Sequence, residues 1–289
     1  LVANKLTYAS MSIVMLLLGC GLFSVAVANF ISPFIGRYIC QKSYFTKNLR
    51  ENIKLYEVKS KIHETIRTIW HNSKKIGLAT IGSFMVSKAS FFLAGYYLTL
   101  EDVASLGLMV QLFTFGASLS LTLNYVNYPK LTALWVKNDS QLISTLSLII
   151  VSMIILFIVY SVLLCFLGNN ILSIVGSNVQ LPSLTILLLY ALVVLLDSNQ
   201  AIFTAFITID NEVPFLKATL VSGFCIMILT FVSLRYSSAG ILGIVLVQGV
   251  VQLAYNNWKW VKYVLDNKID SKFINLLYIG VKAIKEKYI

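Results

Sequence analysis

Seven long apolar runs, each holding at most one charged residue, occupy most of the chain: about 8–35, 76–98, 105–128, 143–167, 183–207, 218–235 and 239–258. A helix rises about 1.5 Å per residue, so roughly 20 residues cross the ~30 Å of bilayer hydrocarbon. Hydrocarbon offers no water to backbone N–H and C=O groups, which leaves helices or closed barrels as spanning structures. The stretch from Leu142 to Leu167 lacks the period-two alternation of a barrel strand. The predicted fold class is therefore all-α, a polytopic transmembrane helix bundle of about seven spans.

Composition agrees. Of 289 residues, 58% are hydrophobic and 12% charged, and the mean hydropathy is +0.81; a soluble domain carries about a quarter charged residues. No room is left for a large separate enzyme domain. The net charge of +11 comes from 23 Lys+Arg against 12 Asp+Glu. In a membrane protein such an excess belongs to cytoplasmic loops, so nucleic acid is not the expected partner.

The basic residues are unevenly placed. Residues 37–75 hold ten of them, the segment from 259 onward holds seven, and the connections 129–142 and 208–217 add Lys130, Lys137 and Lys217. With seven alternating spans all of these fall on one face, against Lys5 and Arg235 on the other. The positive-inside rule makes the basic face cytoplasmic, with Leu1 outside and Ile289 inside. An exterior start without methionine leads us to expect a missing N-terminal portion; five further spans would make twelve.

The hydrophilic stretch 37–75 separates the first run from the other six. Within it Phe45, Leu49, Ile53 and Tyr56, then Ile62, Ile66, Ile69 and Trp70, recur at three- and four-residue steps among basic residues, the pattern of an amphipathic helix at a membrane surface. The basic tail 259–289 is similar: Phe273, Leu276, Leu277 and Ile284 alternate with lysines, and Phe273–Val281 is too short to span.

Little in the chain points to covalent chemistry. Cys20, Cys40, Cys165 and Cys225 stand apart, with no metal-ligand spacing. His63-Glu64-Thr65-Ile66-Arg67 begins like a zinc-protease HExxH, but arginine holds the second ligand position. Nucleophile elbow, P-loop and dinucleotide fingerprint are all missing. We expect no enzyme, metal or cofactor.

What stands out is polarity inside the spans. Lys88 lies roughly 18 Å into its helix and Asp197 roughly 15 Å from the end of its own, both close to mid-bilayer. A charge at that depth is costly and should face a partner or a wet cavity, and these two can pair with one another. Asp197, Gln200, Thr204 and Thr208 share one helical face; Gly116, Ser120, Asn124 and Tyr128 share another; Gln248, Gln252 and Tyr255 form a third. Ala79, Ser83 and Ser87 add small residues beside Lys88. Such faces either pack helix against helix or line a path.

The run Tyr128-Pro129-Lys130-Leu131-Thr132-Ala133-Leu134-Trp135-Val136-Lys137-Asn138-Asp139 after a span resembles the proline, basic residue and short helix found in Wzx-type polysaccharide flippases. Glu101-Asp102-Val103-Ala104-Ser105-Leu106-Gly107-Leu108 and Ala239-Gly240-Ile241-Leu242-Gly243 are similar to the same proteins, which belong to the multidrug/oligosaccharidyl-lipid/polysaccharide transporter superfamily. The resemblance implies twelve helices in two lobes. Residues 1–36 would be the last helix of the first lobe, 37–75 the cytoplasmic linker, 76–258 the six-helix second lobe and 259–289 a cytoplasmic tail.

The function so implied is alternating-access transfer of an undecaprenyl-diphosphate-linked oligosaccharide, such as an O-antigen repeat unit, across the bacterial inner membrane, driven by an ion gradient. The implied partners are that lipid-linked substrate, membrane lipid, a polysaccharide polymerase and a chain-length regulator. Lys88 would meet the anionic head, Ser120, Asn124 and Tyr128 the sugar hydroxyls, and Asp197 would couple the ion or pair with Lys88. Alternatives are a drug or small-molecule antiporter of the same superfamily and a membrane-embedded glycan polymerase or acyltransferase. A seven-span receptor fits worse, since no lysine lies in the last span.

Overall fold

The computed structural model describes residues 2–21, 23–44 and 59–288. Among them every regular element is helical and no strand occurs. The chain divides into two units, residues 1–68 and 69–289.

In the first unit, α1 (Val2–Leu17) and α2 (Phe23–Tyr44) pack against each other as a hairpin. The expected single span over 8–35 is thus two helices. The break has a local cause: Cys20 N donates to Met15 O at 3.1 Å and Gly19 N to Leu16 O at 3.0 Å, a Schellman ending whose turn residue must be left-handed. Gly19 supplies φ +78°, and Gly21 follows at φ +51°. The apolar pieces, Leu6–Leu17 and Phe23–Ile39, are each shorter than a full crossing. Of the surface-seeking residues in the linker, Phe45, Leu49, Ile53 and Tyr56 lie outside the described residues. Ile66, Ile69 and Trp70 do fall on a helix, α3 (Lys59–Tyr97), and their side chains are exposed.

The second unit is the bundle. Six stretches are long and apolar enough to cross a membrane: Ser73–Tyr97, Leu100–Val136, Gln141–Ile174, Leu184–Asp210, Leu216–Tyr236 and Gly240–Ile269. Their helices are α3; α4 (Leu100–Ser120) and α5 (Thr122–Val136); α6 (Gln141–Ile174); α7 (Leu184–Ile207); α8 (Leu216–Tyr236); and α9 (Gly240–Ala254) with α10 (Asn256–Val264). Several outrun the apolar runs that announce them, because flanking amphipathic turns continue the helix. Trp260, beyond the last run, is 4% exposed and belongs to the core.

Two apolar clusters hold the bundle. One, around Leu146, Met153, Phe203, Phe206 and Val264, lies toward the connections 137–140 and 211–215, which we call the basic end. The other, around Leu106, Met109, Phe113, Phe157 and Val245, lies toward the opposite end. Outward-facing Ile155, Val159, Leu163 and Phe166 on α6 are exposed, the pattern of a lipid-facing stripe. Against lipid, burial alone does not drive helices together, so close backbone approach matters more than in a soluble core. At the α3–α8 crossing a Cβ on Gly82 would lie 3.0 Å from Leu220 N, and one on Gly223 would lie 2.8 Å from Met85 Cβ. Two glycines therefore set the distance between these helices.

The basic tail is a docked helix. In α11 (Phe273–Tyr288), Leu276 is fully buried against α6, and the Phe273 ring stands 6.3 Å from that of Phe203. Lys282 and Lys285 face outward. The interleaving of apolar and basic residues in the tail is this division of faces.

Candidate functional site

Asp197 is the central residue of the 27-residue stretch Leu184–Asp210. Packing turns its partly buried carboxylate toward α9. There Gln248 and Gln252, one helical turn apart, donate to it from Nε2, each at 3.5 Å, one to each carboxylate oxygen. Asn256 extends the network: its Nδ2 donates to Gln252 Oε1 and to Ser222 Oγ of α8, both at 2.8 Å. Its Oδ1 accepts from Trp260 Nε1 at 3.2 Å. Asp197 thus heads a chain of neutral polar groups joining α7, α8, α9 and α10.

Beside this chain the last span is interrupted. Tyr255, at φ −145° and ψ −55°, separates α9 from α10. Its side chain turns outward, so the polar face that was expected to end on Tyr255 instead continues Gln248, Gln252, Asn256 at four-residue steps. Asn257, 7% exposed, adds an amide next to Asp197. Asn256, Asn257 and Ser222 were missed by sequence reasoning. The step from Gln252 to Asn256 was readable; Ser222, on a separate helix, was not.

The expected pair between Lys88 and Asp197 does not form. Among the described residues neither Lys88 nor Asp197 enters an ion pair, whereas Lys268 pairs with Asp210 and Glu212. The buried face of α3 is Ala79, Gly82, Val86, Ser90 and Ala94. Lys88 projects from the opposite side, exposed, with Nζ 5.6 Å from the Phe91 ring centre. Of the small residues expected beside it, Ala79 packs while Ser83 and Ser87 are exposed.

The other predicted residues are in three settings. Ser120, 1% exposed, donates to Gly116 O at 2.9 Å, and Asn124, 3% exposed, is equally sealed between helices. Tyr128 is partly buried, and its hydroxyl stands 3.2 Å from Thr208 Oγ1, so the α5 and α7 polar faces meet there. Gln200 and Thr204 stay on the α7 face, where Thr204 donates back to Gln200 O at 3.1 Å.

A second cluster ties the basic end. Trp135 Nε1 donates to Asp210 Oδ1 at 2.7 Å, Lys268 pairs with Asp210, and Tyr263 donates to Glu212 Oε2 at 3.2 Å. The Lys268 Nζ also lies 5.5 Å from the Trp135 ring centre. Among the described residues no three of His, Cys, Asp and Glu stand together as a metal-ligand set. No protein-family model, curated protein or solved structure matches the chain.

Proposed function

We propose that the chain belongs to an ion-coupled transporter of the polysaccharide-flippase type, carrying an undecaprenyl-diphosphate-linked oligosaccharide across the bacterial inner membrane. One observation carries the reading. At the middle of a membrane-length helix stands a carboxylate surrounded by neutral amides, with no cationic partner among the described residues. A carboxylate kept only for structure at that depth would be expected to have a lysine or arginine against it. Amides serve another purpose, because they satisfy the charge and reorient when a proton or small cation neutralises it. Two arrangements of one network are what alternating access requires, each favoured by a different ligand state.

The interruption at Tyr255 supports the same reading, since discontinuous helices next to an ion site are a recurring device of secondary transporters. The cargo rests on the resemblance of Tyr128–Asp139, Glu101–Leu108 and Ala239–Gly243 to the flippases. In this reading Lys88, outside the packed face of α3, is free to meet an anionic diphosphate, and Tyr128 to contact sugar. Ser120 and Asn124 would contact sugar only after the helices that seal them separate.

The test is complementation of a bacterial strain lacking its own flippase, with the gene's complete product. Asp197→Asn should lower surface polysaccharide at least about fivefold, the small end of coupling between sites, while the protein accumulates normally. Undiminished polysaccharide from a stable Asp197→Asn protein would overturn the role of Asp197. Failure of the unaltered protein to restore polysaccharide, together with efflux of small cationic dyes, would favour the antiporter.

A further inference from the structure

At the basic end of the bundle an open cleft of about 510 Å³ runs between α5 and α6, lined by none of the residues around Asp197. Lys130, Gln141, Ser144 and Thr145 line its mouth, and Ala283 of the docked tail helix closes one side. Deeper along it lie Leu123, Asn127, Leu148, Ile149 and Ser152. Among the described residues no carboxylate lines it. Asp139, just before α6, turns Oδ1 to the Gln141 N–H at 2.8 Å. Lys130 enters no ion pair among the described residues.

The depth of these groups identifies what fits. The spans flanking the cleft have 37 and 34 residues, or roughly 55 and 51 Å of helix, so when centred they project about 10–12 Å beyond each side of the hydrocarbon. Lys130, six residues from the end of α5, and Ser144 and Thr145, three and four from the start of α6, lie about 9, 5 and 6 Å from those ends, at headgroup level. Ser152, eleven residues in, lies about 16 Å along, inside the hydrocarbon boundary. The cleft is therefore basic and hydroxylic where headgroups lie, and below them Leu123, Leu148 and Ile149 line it together with Asn127 and Ser152, a lining that suits an amphiphile with an anionic head and a polar glycerol region.

We propose that this cleft binds an anionic phospholipid, its phosphate held by Lys130 with the hydroxyls of Ser144 and Thr145 and the amide of Gln141. The glycerol and first methylenes lie over Leu148 and Leu123. Basic pockets between spans are a recognised way to hold such headgroups. The site stands apart from the Asp197 network, and its failure would leave the transport reading untouched.

Native mass spectrometry of the purified protein in detergent tests it, with phosphatidylglycerol and phosphatidylcholine as titrants and the first bound lipid as readout. Phosphatidylglycerol should bind in preference. Lys130→Ala should weaken that binding about fivefold, the effect of one lysine near an anionic headgroup, and Lys130→Arg should restore it. Lys137→Ala, at the same end but outside the cleft, should change nothing. Ser144→Leu with Thr145→Leu should weaken binding with no change of charge. Equal affinity in Lys130→Ala and the unaltered protein, or an equal loss in Lys137→Ala, overturns the site. Displacement of the lipid by millimolar inorganic phosphate overturns the phospholipid as its ligand. Should Lys130→Ala not accumulate, a photo-crosslinking residue at Ser144 should capture phosphatidylglycerol from intact membranes, and its failure to do so overturns the proposal equally.

Discussion

Lys88 and Asp197 are each the one charged side chain in an apolar run, yet their surroundings differ in kind. Asp197 faces inward and is met by Gln248 and Gln252; Lys88 faces away from its helix's packed side, with its ammonium near the Phe91 ring. Removing a partner from a buried ion pair is strongly destabilising, whereas changing an exposed side chain with no partner is usually within about 0.5 kcal/mol. Lys88→Ala should therefore leave the membrane level and the thermal midpoint of the purified protein nearly unchanged. Adding Asp197→Ala should bring no recovery of the kind that a broken pair would show. A collapse in abundance on Lys88→Ala, relieved in the double variant, would mean that the two do meet. Both charges were legible as outliers in the sequence. Their partners were not, because helical periodicity says which residues share a face and leaves open which neighbour the face meets.

At the scale of elements, glycine does two different things here. Gly19 and Gly21 sit at positive φ and end a helix that apolarity alone would continue. Glycine is also common inside membrane helices, so the sequence Leu18-Gly19-Cys20-Gly21 does not announce a turn by itself. Gly82 and Gly223 stay helical and matter through distance, bringing α3 and α8 together at backbone range. Gly223→Ala places a methyl 3.1 Å from Gly82 O and should cost about 1–3 kcal/mol, the usual range for overpacking. Gly107→Ala meets only the Phe91 ring edge at 3.7 Å and should be neutral or slightly stabilising, by up to about 1 kcal/mol from helix propensity. Thermal unfolding of the two purified variants makes the comparison. Equal midpoints would show that the α3–α8 crossing is looser than this geometry.

For the whole molecule, six alternating stretches place the connections 137–140, 211–215 and 270–272 at one end of the bundle, and 98–99, 175–183 and 237–239 at the other. Lys130, Lys137, Lys217 and Lys268 cluster toward the first end and Arg235 toward the second, and the positive-inside rule applied to that asymmetry predicts a cytoplasmic first end. With the native cysteines replaced by serine, a cysteine at Ser237 should react with an impermeant maleimide on intact cells, and one at Ser140 only after lysis. The reverse would invert the protein. Apolar length, the lack of water in hydrocarbon and the missing period-two alternation were enough, from sequence alone, to specify an all-helical membrane bundle, because only helices and closed barrels satisfy their backbone polar groups there and a barrel strand would alternate. The division of the 8–35 run into a hairpin, the docking of the tail on α6 and the amide surroundings of Asp197 were decided only in three dimensions. Each depends on the rotation and separation of whole helices, and those are set by contacts between residues far apart in the chain.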